Sequence, residues 1–138
     1  MKNLFYGFMA CICLMMSTES IAQQANSASS VSQGMIKVSI FYPNAEGKTF
    51  NMDYYAQKHM PMAKVLFGES LLSFSIDKGL ANGIPNAPLP YLAIGYFYFK
   101  SMADLQKAMS GTASAKLTAD IPNFTNSQPI IQISEVVQ

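Results

Sequence analysis

The only histidine of the chain, His59, stands in the stretch Met52-Asp53-Tyr54-Tyr55-Ala56-Gln57-Lys58-His59-Met60-Pro61, with two tyrosines about one turn behind it. An imidazole with an ordinary pKa of about 6.5 both takes and gives a proton at neutral pH, as isomerisation or decarboxylation of a polarised carbonyl requires. On a helix, Tyr55, His59 and Met62 share one face, being four and three positions apart. Such a face aims a phenol and an imidazole into one cavity, with His59 as proton shuttle and Tyr55 as hydrogen-bond donor or orienter. The alternative is that His59 only hydrogen-bonds a neighbour where Pro61 kinks the helix. Adjacent Tyr54 and Tyr55 point about 100° apart, so only one of them lines a pocket. Asp53, in the first turn, suits the helix dipole better than it suits chemistry.

A second polar set lies in Ala119-Asp120-Ile121-Pro122-Asn123-Phe124-Thr125. Asp120, Asn123 and Thr125 sit on a long irregular connection, the kind that carries binding groups. Turn chemistry around proline explains the same residues. An enzyme needs a second polar group opposite His59, and only this segment can supply it. Were it to fold away, a binding protein without turnover would be the better account.

Other chemistries find no support. One histidine, with two cysteines confined to positions 11 and 13, cannot build a structural zinc site. No glycine-rich phosphate loop is present, so no nicotinamide or flavin cofactor is expected. The formal charge is +1, with nine lysines and no arginine, which argues against nucleic acid as a partner. Half of the residues are hydrophobic and 12 % are charged, enough to bury one core in 138 residues.

The elements that must position these groups follow from patterning. Lys2, the uncharged apolar run Leu4 to Met16 and the small-x-small site Ser20-Ile21-Ala22 read as a secretory signal cleaved after Ala22. The run is shorter than the roughly 20 residues of a spanning helix, so no stable anchor is expected after cleavage. Cys11 and Cys13 leave with it, which suits an oxidising compartment, periplasmic or extracellular. Residues 23–34 are small and polar, a flexible leader. The domain then begins at Met35 and runs to the end at Gln138.

Within it, Ile36 to Tyr42 reads as a strand, and Asn51 caps a helix over Met52 to Leu66, stopped by Gly68. Leu71 to Lys78 alternates as a second strand. Gly79 to Pro90 is loop, and Tyr91 to Phe99 is a central strand apolar on both faces. Ser101 caps a helix ending near Met109, Ser110 to Pro129 is irregular with a helical turn at Ala113 to Ala119, and Ile130 to Val137 is the last strand. The order strand, helix, strand, strand, helix, strand is that of a ferredoxin-like α+β domain, βαββαβ, with a four-stranded antiparallel sheet. Both helices cover one face, and a second copy is the simplest cover for the other, which predicts a homodimer.

At this level the chain resembles the EthD family of the dimeric α+β barrel superfamily. The likeness lies in Met-Ile-Lys-Val-Ser-Ile-Phe-Tyr-Pro from Met35, Asp-Tyr-Tyr-Ala-Gln-Lys-His-Met-Pro from Asp53, the Pro90 to Phe99 strand, Ala119 to Thr125 and Pro129 to Val136. It implies a small hydrophobic or aromatic ligand in a cavity between sheet and helices; the residues singled out for it are Tyr54, Met62, Asp120, Asn123 and Thr125 as binding groups beside catalytic His59 and Tyr55. It implies cofactor-independent oxidoreductase, isomerase or lyase chemistry. Some relatives in the superfamily bind haem, for which His59 alone has the right general type; no cofactor is expected. The export signal sets the chain apart from most such relatives.

Overall fold

A computed structural model of the chain describes residues 31–138. The signal and most of the leader read from the sequence lie outside the described residues. The elements run β1 (Ile36–Pro43), α1 (Met52–Tyr54), a π-helical turn (Tyr55–His59), α2 (Met60–Phe67), a 3-10 turn (Gly68–Ser70), β2 (Leu71–Lys78), β3 (Tyr91–Phe99), α3 (Met102–Met109), α4 (Ala113–Asp120), a 3-10 turn (Ile121–Asn123) and β4 (Ile130–Glu135). All pairings are antiparallel, in the order β2-β3-β1-β4. This is the ferredoxin-like α+β fold.

Period-two patterning decides what each strand buries. Val38, Ile40 and Tyr42 of β1 and Ala93, Gly95, Phe97 and Phe99 of β3 point to the helices and are buried. Phe41, Ile94, Tyr96 and Tyr98 point to the opposite face, which none of the described helices covers. There Tyr96 and Tyr98 stack 6.5 Å apart, and Lys37 Nζ lies 5.6 Å from the Tyr96 ring.

The helical termini follow their caps. Asn51 accepts from the Tyr54 N–H at 3.0 Å, and Ser101 accepts from the Asp104 N–H at 3.2 Å. Two departures from the sequence expectation concern the site. Pro61 produces neither a break nor a stop: it follows a π-helical turn in which the Met60 N–H bonds to the Tyr55 carbonyl. Proline lacks an N–H and would crowd the carbonyl four residues back, and the wider turn absorbs both. The segment after α3 is also more regular than its composition suggests. Ala113–Asp120 forms a full eight-residue helix, with Leu117 and Ala113 buried as its anchors. Residues of low helix propensity such as Thr118 are carried here by tertiary packing.

Candidate functional site

The π-helical turn puts Tyr55 and His59 on the inner side of the helix, with their rings stacked 5.4 Å apart at 19°. Both are almost fully buried, Tyr55 at 1 % and His59 at 5 % exposure. Tyr55 runs under the sheet to Gly95 of β3, where a side chain would overlap its hydroxyl. Its ring meets Tyr42 edge-on at 5.5 Å.

His59 Nδ1 lies 2.8 Å from Asp120 Oδ2, at the end of α4. The other carboxylate oxygen accepts from the Tyr54 hydroxyl at 3.0 Å and from Asn123 Nδ2 at 2.8 Å. Burial pushes the Asp120 carboxyl up, but the hydrogen bonds from His59, Asn123 and Tyr54 outweigh it and leave its pKa below the ordinary 3.8. An ionised carboxylate only accepts, so Nδ1 of His59 carries the proton and Nε2 keeps its lone pair. Burial lowers the His59 pKa below 6.5, against the opposing pull of Asp120. The imidazole is therefore neutral at neutral pH, with its free nitrogen a base.

What holds Asp120 there is a polar zipper between the segment after α4 and the β1–α1 connection. The Asn51 N–H donates to the Phe124 carbonyl at 2.7 Å, and Thr125 Oγ1 donates to the Thr49 carbonyl at 2.6 Å. Asn126 accepts from the Thr49 N–H and donates to the Gly47 carbonyl. The zipper seats Phe124 against the imidazole at 4.6 Å, closing its outer side.

His59 and Tyr55 form part of the wall of a cavity of about 140 Å³ between the sheet and α2, α3 and α4. Tyr42, Phe97, Phe99 and Leu105 complete its inner part, and Met109, Thr118, Ile131 and Ile133 stand at its outer rim. Apart from His59 no acidic or basic side chain reaches the wall among the described residues. Both phenols stay neutral: burial raises Tyr42 to about 12 despite the neighbouring Tyr55 hydroxyl, and burial raises Tyr55 further still.

The seven residues singled out in the sequence thus divide. His59 and Tyr55 line the cavity together. Asp120, Tyr54 and Asn123 are gathered behind His59 and do not line it. Met62 packs against the core rather than lining the cavity, because the π-helical turn shifts the face that follows it and turns Met60 fully inward. Thr125 is a strut of the zipper, and with Asn123 it borders a polar depression on the far side of Phe124. Sequence reasoning missed Tyr42 and Phe124. The alternation Val38, Ile40, Tyr42 in β1 was the signal for the first; Phe124 had none.

No group of three or more potential metal ligands occurs among the described residues, and no described helix is long and apolar enough to cross a membrane.

Residues 47–128 match the model of the EthD domain. The chain is similar to an EthD-like protein from Ralstonia eutropha JMP134, with 39 % identity and a TM-score of 0.70, over 78 % of this chain and 96 % of that one. It is also similar in fold to an EthD family protein, described by ethyl tert-butyl ether, from Bacillus halodurans C-125, at 18 % identity and a TM-score of 0.57, over 75 % of this chain and 99 % of that one. A protein of Arabidopsis thaliana shares the fold at 12 % identity and a TM-score of 0.55, over 75 % and 96 %. No curated protein matches the chain significantly. The family model spans more than half of the sequence and the Ralstonia protein is aligned over nearly its whole length, so the chain belongs to the EthD family.

Proposed function

We propose that this chain is an exported protein that takes a small hydrophobic or aromatic molecule into the cavity between sheet and helices and moves a proton on it through His59. The observation that carries this is the 2.8 Å contact between His59 Nδ1 and Asp120. A histidine kept only for packing needs no carboxylate held by two further donors. Asp120 fixes the tautomer, turns Nε2 free and stabilises the imidazolium that forms when a proton arrives. A lone imidazole moves protons rather than electrons. Isomerisation, loss of carbon dioxide and a cofactor-independent oxidation that begins with proton removal can all start from such a base.

A second reading has its own support. The cavity wall is mostly apolar, with only the Ser114 and Thr118 hydroxyls beyond His59 and the two phenols, as in a protein that binds a ligand without turning it over. A second copy is proposed to cover the bare sheet face, which carries Lys37 and Asp77 on different strands and so can be complementary to itself across a two-fold axis.

Native mass spectrometry of the protein purified from its own host tests the cavity. A retained small molecule is expected, lost when Leu105→Trp fills the space. Identical ligand-free spectra for both forms would sink the proposal. Asp120→Asn then separates the two readings: on the released ligand, turnover should fall roughly 10²-fold with affinity little changed if His59 works as a base. No turnover in the native protein leaves the binding reading.

A further inference from the structure

Tyr42 occupies a position that a core residue of β1 does not need. At 2 % exposure it is as buried as the phenylalanines around it, yet it carries a hydroxyl. Its ring makes edge contacts with Phe50 at 5.0 Å, Tyr55 at 5.5 Å and Phe124 at 5.7 Å, all of which a phenylalanine would make equally well. Among the described residues the Tyr42 hydroxyl makes no hydrogen bond, and no polar side-chain atom is both buried and unpaired, so this oxygen opens on the cavity whose wall Tyr42 helps to form. Tyr55 cannot swing away, because its hydroxyl is wedged against β3 at Gly95. The Tyr42 hydroxyl is then available to a molecule in the cavity.

On the other side of the Tyr55 ring stands His59, whose accessible nitrogen has a lone pair and no proton. The inner part of the cavity therefore offers a phenol donor and a base on either side of the Tyr55 ring, with the Ser114 and Thr118 hydroxyls farther out. Resting on the cavity reading above, we infer that the ligand is a compact, uncharged ketone or aldehyde whose carbonyl oxygen accepts from Tyr42 while His59 Nε2 takes a proton from the adjoining carbon. A ketone oxygen cannot bond to Nε2 of neutral His59, since both are acceptors and the Nδ1 proton is held by Asp120, so the two groups divide the molecule between them. The carbon–hydrogen bond breaks, its proton goes to Nε2, and its electron pair forms the carbon–carbon double bond of an enolate. The negative oxygen is held by the Tyr42 hydroxyl. Return of the proton to the same carbon or to a conjugated one completes an exchange or an isomerisation, with no oxidant consumed. The size of the cavity, about 140 Å³, fixes the scale: an apolar space near 150 Å³ accommodates one benzene-sized ring.

Cyclohexanone and methylcyclohexane, alike in shape and differing in the oxygen, are the probes, used on the full exported chain in deuterated buffer at pH 8. Wild-type protein should speed deuteration beside the carbonyl of cyclohexanone above the buffer rate. Tyr42→Phe should lower that acceleration roughly 10²-fold. The same change should weaken cyclohexanone binding about tenfold and leave methylcyclohexane binding as it was, which also shows that the variant is folded. Binding of both probes without any accelerated exchange by the wild-type protein overturns the carbonyl assignment and spares the cavity. Exclusion of both probes overturns the two together. Equal exchange by wild type and Tyr42→Phe removes Tyr42 from the chemistry.

Discussion

Gly95 of β3 is the seat of the Tyr55 hydroxyl: a Cβ at position 95 would overlap that oxygen and lie 3.3 Å from the ring carbon that bears it. The backbone at Gly95 has no unusual φ to explain a glycine, so the requirement is close approach of a side chain. Through this contact the sheet fixes Tyr55, which in turn stacks on His59 and meets Tyr42.

Gly95→Ala should therefore destabilise the domain by about 1–3 kcal/mol, the usual cost of overfilling a packed core. Tyr55→Phe alone, which removes only the hydroxyl, should cost about 1 kcal/mol or less. The double variant Gly95→Ala/Tyr55→Phe removes the overlapping oxygen and should be more stable than Gly95→Ala alone. Chemical denaturation of the four proteins measures the coupling. Strictly additive losses would show that Tyr55 does not depend on Gly95.

Acid should weaken the fold in two stages. The folded-state pKa of His59 is below 6.5, because burial disfavours the charged ring. Between those two values the unfolded chain binds more protons, so stability is complete above about 6.5 and declines as the pH falls toward the folded value. Asp120 is likewise depressed, so its contribution is present above about 3.8 and is lost as the pH falls through its folded pKa. Melting temperatures across this range should show both declines in the wild-type protein. His59→Gln should lack the upper one and keep a lower one weakened by the missing partner. An unchanged upper decline in His59→Gln would assign it to some other group.

The strands and the caps were legible because burial and chain geometry imprint directly on spacing. Leu71 to Lys78 and Tyr91 to Phe99 read from alternation or uniform apolarity are β2 and β3 as built. Asn51 and Ser101 were legible as caps for the same local reason. The π-helical turn was not. Pro61 signals a disturbed ladder, but whether the chain breaks, kinks or widens depends on what packs inside, here Tyr55 under Gly95. At the site, the segment from Asp120 was legible only as the source of a group opposite His59, and Asp120 instead lies behind the ring, on Nδ1. The geometry of the segment was not legible, because the link from Asn126 to Gly47 and Thr49 spans nearly 80 positions and leaves no periodicity. Tyr42 was hidden for a different reason: in a strand pattern a tyrosine counts as one more large apolar residue, and only its place in the cavity wall gives its hydroxyl a task.

Export is tested by mass. Lys2, the apolar run from Leu4 to Met16 and Ala22 occur in the order a signal peptidase reads. The secreted or periplasmic form should begin at Gln23 and contain no cysteine. A form that keeps Cys11 with a lipid attached would replace this with a membrane-tethered protein, and a full-length intracellular form would remove export altogether.

The bare face of the sheet makes the last prediction. Ile94, Tyr96 and Tyr98 of β3 and Phe41 of β1 lie on the side opposite the helices, half-buried by one another and by nothing above them. A row of aromatic side chains on a flat sheet is costly to leave in water, and its burial against a second copy would gain roughly 25 cal/mol for each Å² of apolar surface covered. In an isologous pair every residue of the face is used twice, so one substitution acts twice. Sedimentation at micromolar concentration should give a dimer for the wild-type chain. Tyr96→Glu places two carboxylates in the interface, beside Asp77, whose influence already raises the Tyr96 phenol after burial. That variant should sediment as a monomer with its cavity and its ligand response retained, since Tyr96 points away from both. A wild-type monomer, or a Tyr96→Glu protein still fully dimeric, would mean that this face is not where two copies meet.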